Sequence, residues 1–364
     1  MAKAIIVGAG IVGLGTARAL RRRGWEVEVI EAGPLPNPNA SSTDHHRLIR
    51  SHYPDPGYAA RIPEAFRLWE ALWADLGARH YVERGMLALS RSAGDWTDRS
   101  RAALDARSMP YDLLDPEDIA RRFPAFETEG VRYGMMTRDG GALLAERILR
   151  GLMGRLVSEG VSLFAETPVE AVDPEAGAVV TATGIRHADR IIVAAGIATG
   201  RLVPALAPRL EPRRIVVLYA DPPDRLRATW EETPCWIDLG NEDDLWGMPP
   251  MEGWPLKLGY GAHTRPGDPE TERRLLPDDV PRILAAYEGR VKGIGDFTVR
   301  TPHVNFYTMA PQERFILHAE GLMLAASACS GHGFKFGLLS GEDIAEAADG
   351  GDVPAIARRM AGLA

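Results

Sequence analysis

The chain has 364 residues, 45% apolar and 25% charged, the balance of an ordinary globular protein long enough for two domains and a sizeable core. Its formal charge of −8 argues against nucleic acid as the main ligand and against an anionic membrane surface. No stretch reads as a signal peptide or approaches transmembrane length, and Cys235 and Cys329, far apart in sequence, read as reduced thiols of a cytoplasmic protein.

The opening "AKAIIVGAGIVGLGTARALRRRGWEVEVIEAG" predicts a strand over 4–7, a tight turn, a helix to about residue 23 and a second strand over 27–30 closed by Glu31. Gly24 supplies the left-handed residue that ends the helix, and Arg21–Arg23 complement its dipole. The Pro/Asn/Ser-rich loop that follows is too long for a simple connector. Helical spacing is predicted over 63–76, a short capped helix within 113–126, and an amphipathic helix over 140–160. Buried strands are expected at 161–164 and 191–194. From 210 to 310 strand-like runs recur without a long helix, which predicts an antiparallel sheet. A last buried strand over 322–327 leads into a closing helix. Strand–helix alternation at both ends around a sheet-rich middle predicts an α/β fold, a Rossmann-type nucleotide-binding domain interrupted by a second domain on a mainly antiparallel sheet.

The chemistry-bearing motif at the N-terminus is Gly8-Ala9-Gly10-Ile11-Val12-Gly13, which follows a strand and opens a helix. Gly8 permits the turn, Gly10 lets a pyrophosphate approach the backbone, and Gly13 allows close helix–strand packing. Glu31, 18 positions after Gly13, is placed to accept hydrogen bonds from a ribose diol and to repel a 2′-phosphate. These residues leave FAD or NAD open. Near the C-terminus, "SACSGHGFKFG" offers small residues and backbone N–H groups at a helix start, which suits the electron-rich pyrimidine edge of a reduced flavin. It also sets Lys335 between two phenylalanines, where an ammonium group needs a negative partner.

With "HRLIRSHY" (46–53), "LKLGYG" (256–261) and "NFYT" (305–308), these motifs make the sequence similar to the monomeric sarcosine oxidase and N-methyl amino acid oxidase family, within the D-amino acid oxidase-like flavoproteins. The pieces follow the family's order and span almost the whole chain. The resemblance implies that Arg50 and Lys335 bind a substrate carboxylate beside the flavin, that Lys257 activates oxygen, and that Arg47 lies close to the flavin ring. It implies FAD contacts at the fingerprint residues, Glu31, Ser41, Ser42, Ala195, Gly196, Gly331, His332, Gly333, Phe334 and Lys335. Tyr307 matches an active-site tyrosine, and Trp246 and Trp236 fall near substrate-wall positions, where two core tryptophans are the equal alternative. His45 and His46 have no companion metal motif and read as solvated or structural.

Two positions depart from that pattern. Asn305 stands where these relatives attach FAD through a cysteine, so FAD is expected to be non-covalent. Gly261 stands where the family's active-site histidine follows "KLGY", and His263 is the candidate to take over that role. The division expected is 1–83, 141–209 and 311–364 for FAD and 84–140 with 210–310 for substrate. The expected activity is oxidation of a small secondary or N-methylated amino acid to an imine, with oxygen reduced to hydrogen peroxide, by a monomer or weak oligomer. The alternative on the same fold is a primary or D-amino acid oxidase, or a dehydrogenase with another acceptor.

Overall fold

Strand β1 (Lys3–Val7) is apolar on both faces, and it is central: it pairs in parallel with β2 (Glu26–Ile30) on one side and Arg190–Val193 on the other. The computed structural model describes residues 1–240 and 243–363. The sheet built on β1 has six strands in the order Ile316–Glu320, Met323–Ser327, Arg190–Val193, β1, β2, Ser162–Phe164. All neighbours are parallel except the antiparallel edge pair Ile316–Glu320 and Met323–Ser327. Helix α1 (Ile11–Arg22) covers it, and Gly24 at φ +82° ends that helix as expected. The helix Gly337–Ala348 lies so close against α1 that a Cβ at Gly341 would fall 2.4 Å from the Gly15 carbonyl carbon. That contact brings the C-terminal motif to the glycine turn.

Among the described residues the second large sheet has nine strands, the short Arg265–Pro266 at one edge paired with Glu211–Asp221. Its longest pair is Glu211–Asp221 with Thr298–Met309, and it continues through Leu256–Tyr260, Leu245–Met248, Cys235–Asp238, Met86–Ser90, Tyr133–Thr137 and Asp112–Leu114. The pairs are antiparallel except Cys235–Asp238 with Met86–Ser90. The mixed α/β class and the mainly antiparallel second sheet therefore agree with the sequence reading. Trp230, Trp236 and Phe126 pack in the core of this sheet.

A small sheet joins β3 (Arg47–Arg50) to Gly140–Leu143, which also pairs with Tyr81–Glu83. This corrects the helix expected over 140–160. The helix is Ala145–Ser158, and the preceding residues are extended because Gly140 and Gly141 sit at φ +138° and +146°. Helix α2 (Pro56–Leu76) begins earlier than the spacing suggested. Asp55 caps it by accepting from the Tyr58 N–H at 3.0 Å, and Pro63 is tolerated inside it. The "closing" helix is not the last, since Val353–Met360 follows. No helix among the described residues is long and apolar enough to cross a membrane.

Candidate active site

The glycine turn between β1 and α1 is tight by construction. Gly8 has φ +109°, and a Cβ on it would lie 2.4 Å from the Ala194 carbonyl oxygen and 3.1 Å from Ala195 Cα. A Cβ at Gly13 would lie 1.9 Å from the Gly8 carbonyl oxygen, so helix and strand meet at backbone distance. Ser42 Oγ accepts from the Ile11 N–H at 3.0 Å at the start of α1, while Ile11 and Val12 pack into the core. The Glu31 carboxylate is buried at the end of β2 and accepts from Ala9 N at 2.9 Å, Gly33 N at 3.2 Å and Asn37 Nδ2 at 2.8 Å. Gly196, at φ +57°, follows Ala195 after Arg190–Val193.

A cavity of about 680 Å³ is lined by strands of the nine-stranded sheet, by β3 and by the segment 329–335 that follows Met323–Ser327. Lys335 lies in its wall at 4% exposure, and its Nζ makes one hydrogen bond, to the His332 carbonyl at 3.1 Å. Arg50 reaches the same place from β3. Its guanidinium lies 4.8 Å from the Tyr53 ring centroid and 5.3 Å from that of Trp96, and Lys335 Nζ lies 5.8 Å from the same Tyr53 centroid. Neither cation forms a salt bridge among the described residues, although Asp244 and Glu313 lie within electrostatic reach of Arg50, and Arg50 Nε has no hydrogen-bond partner. Burial, with the Arg50 charge adding to it, holds the Lys335 ammonium well below the usual lysine range. An anion placed between the two would reverse that shift.

Lys257 occupies another wall and is paired. It is buried on Leu256–Tyr260 and donates to Asp44 Oδ2 at 2.5 Å and to the His46 carbonyl at 3.0 Å. Burial lowers its pKa to about 8 against the opposing pull of Asp44. Asp44 collects further donors, Tyr219 Oη at 2.5 Å, His45 N at 2.7 Å and the Arg47 guanidinium. Although burial alone would raise it, these cations hold Asp44 well below the usual carboxylate range. Arg47 also donates to the Ser41 carbonyl at 2.8 Å, and Ser41 Oγ donates to the Phe306 carbonyl at 2.6 Å.

Other expected residues divide. Tyr307 and Trp246 line the cavity, and burial pushes the Tyr307 hydroxyl up to about 12. Trp236 is a core residue instead. Gly331, His332, Gly333 and Phe334 also line the cavity, but the His332 ring is tied to Tyr53 Oη at 3.2 Å and the Glu313 carbonyl at 3.1 Å. Phe334 stacks on Trp69. His263 lies outside the lining: its Nε2 meets Asp279 at 2.8 Å, beside the buried Arg214–Asp279 pair. Asn305 Oδ1 accepts from Phe306 N at 2.7 Å and Nδ2 donates to the Thr43 carbonyl at 3.3 Å.

A protein-family model described as "DAO: FAD dependent oxidoreductase" matches residues 3–347. The chain belongs to this family. Among curated relatives, the oxidoreductase is 27% identical over 359 residues to the monomeric sarcosine oxidase of Bacillus sp. (strain B-0618), covering 94% of this chain and 91% of that one. It is 22% identical over 347 residues to the N-methyl-L-tryptophan oxidase of Yersinia pestis (strain Pestoides F), covering 93% and 92%. Among solved structures it shares the fold of L-proline dehydrogenase from P. horikoshii, with a TM-score of 0.85, 19% identity and coverage of 100% and 97%.

FAD is the cofactor of the family, and the residues of this oxidoreductase fit it. The glycine turn leaves room for a pyrophosphate where side chains would collide, and Glu31 is set for a ribose. His46 is fully buried in the cavity wall with both ring nitrogens unpartnered, and burial lowers its pKa to about 3, so its imidazole is neutral. Two further residues escaped the sequence reading. Asp44 was hidden in a loop where acids are ordinary turn formers, and His46 lacked any motif to raise it above a structural histidine.

Proposed function

We propose that this oxidoreductase oxidises the C–N bond of a small secondary or N-methylated amino acid to an imine, which water hydrolyses, with oxygen as acceptor and hydrogen peroxide as product. The observation that carries the reading is the pair of cations, Arg50 and Lys335, sharing the Tyr53 ring in one cavity with no salt bridge to either among the described residues. Taking an ammonium out of water costs on the order of several kcal/mol, and a carboxylate held by both groups offsets that cost. Relatives named for sarcosine and N-methyl-L-tryptophan, both amino acids with an alkylated nitrogen, point to the same substrate class. Bound FAD supplies the two-electron acceptor. Arg50 and Lys335 fix the carboxylate and so orient the reacting carbon. Trp246 walls the cavity, and Tyr307 remains a neutral hydroxyl at physiological pH. Lys257 and Arg47 provide positive charge where oxygen takes up electrons.

The Asp44–Lys257 ion pair favours a second reading, a dehydrogenase that passes its electrons to another acceptor, because Asp44 offsets part of that charge. Anaerobic bleaching of the flavin against N-methyl, cyclic and D-amino acids tests the first reading. Rapid bleaching by an N-methyl or cyclic amino acid supports it, and bleaching by none would refute it. The rate of reoxidation by oxygen then separates oxidase from dehydrogenase.

A further inference from the structure

Gly261 has no side chain, yet the space its Cβ would enter is filled. That atom would lie 1.8 Å from Asp244 Oδ2, 2.3 Å from its Cγ and 2.8 Å from its Cβ. Asp244 reaches the spot from the segment before Leu245–Met248, at a left-handed φ of +52°, and its carbonyl accepts from the Gly261 N–H at 2.8 Å. The two segments are thus pinned together, and the absence of a side chain at 261 is what admits the acid. Asp244 lines the cavity together with Arg50, Lys335, Trp246, Tyr307 and Glu313. Its carboxylate has no hydrogen bond or ion pair among the described residues. The residue is exposed, so its carboxylate is open to a cationic partner, and desolvation raises its pKa to about 6, with Arg50 opposing and Glu313 adding to the shift.

We propose that Asp244 is the counter-charge for the ammonium group of the bound amino acid. The cavity then reads both ends of a zwitterion, the carboxylate at Arg50 and Lys335 and the nitrogen at Asp244. With only the two cations, an incoming ammonium would be drawn toward like charge, and one acid from the segment before Leu245–Met248 removes that conflict. The inference rests on the carboxylate reading above and adds the nitrogen subsite.

The test uses the FAD-loaded protein and two ligands without an α C–H, followed by perturbation of the flavin absorbance. One is α-aminoisobutyrate, which carries an ammonium group. The other is pivalate, which has a methyl group in its place. Asp244→Asn should weaken α-aminoisobutyrate by about 10- to 100-fold and leave pivalate unchanged or tighter. Gly261→Ala, which keeps the acid but displaces it, should shift the same ratio, and it serves if Asp244→Asn does not fold. Glu313→Gln should preserve the ratio. Equal loss of both ligands in Asp244→Asn, no change in either, or loss of the ratio in Glu313→Gln instead would overturn the assignment. Failure of the unsubstituted protein to bind pivalate, with Lys335→Met no different, would overturn the anion-site reading beneath it.

Discussion

Lys257 and Lys335 are both buried, and the difference between them is their company. Lys257 has Asp44 at 2.5 Å, with Arg47 and His46 close by, and keeps its charge up to about pH 8. Lys335 has a carbonyl and a neighbouring guanidinium, so its charge waits for a ligand. The sign for Lys257 follows from its lowered pKa. The ammonium is present below about 8 and lost above it, so reoxidation of the reduced enzyme should slow as pH rises through 8. Lys257→Met should be slow at every pH, by about a hundred- to thousandfold, while anaerobic reduction changes far less. Stopped-flow reoxidation against pH checks this, and a flat profile in the unsubstituted protein would contradict it. At this scale the sequence exposed departures more readily than replacements. Gly261 was visible as a missing histidine, and His263, the candidate to replace it, meets Asp279 and does not line the cavity. Asp244 comes from the segment that leads into another strand, Leu245–Met248, and no local pattern announces a contact between segments so placed.

The strand Gly140–Leu143 is the element on which the substrate side depends, because it holds β3 and therefore Arg47 and Arg50. A Cβ at Gly141 would lie 2.1 Å from the Val82 carbonyl oxygen, at a φ of +146° that other residues rarely adopt. Gly141→Ala should cost at least about 1–3 kcal/mol and weaken carboxylate binding as well. Gly154→Ala is the contrasting variant. It sits in the exposed interior of Ala145–Ser158 with nothing within 4 Å, and it should stabilise by up to about 1 kcal/mol. Urea midpoints compare the two, and a neutral Gly141→Ala would contradict the strain argument. These glycines also explain the misread helix. Apolar spacing from Leu144 onward is genuinely helical, and only the φ values of the two glycines, invisible in the sequence, turn the first four residues into strand. By contrast β1, α1 and β2 were legible almost to the residue, since strand, turn and cap signals there agree.

For the whole molecule, the two motifs proposed to hold FAD come from opposite ends of the chain, and the packing of α1 on Gly337–Ala348 brings those ends together. The parallel pairing of Cys235–Asp238 with Met86–Ser90 was not legible in the sequence, since strands so distant in sequence share no local signal. FAD should bridge the two motifs without a covalent bond. Asn305 cannot form the thioether, and burial raises the Cys329 thiol, which makes it a poor nucleophile. Acid precipitation should therefore release the yellow colour into the supernatant, and colour kept in a washed pellet would contradict this. Free FAD at 100 times its Kd should add about 2.7 kcal/mol to the stability of the protein stripped of it.

Arg50 and Lys335 are proposed to act together on one substrate carboxylate. Lys335→Met removes one charge and keeps most of the apolar volume between Phe334 and Phe336. The decisive measurement is the anaerobic flavin reduction rate against concentration, for an N-methyl amino acid and for the amine that lacks its carboxylate, in both proteins. The mutant should lose about thirty- to several-thousandfold in affinity for the acid, equivalent to roughly 2–5 kcal/mol, and little for the amine. Equal loss for both compounds would contradict the account and make Lys335 a structural residue.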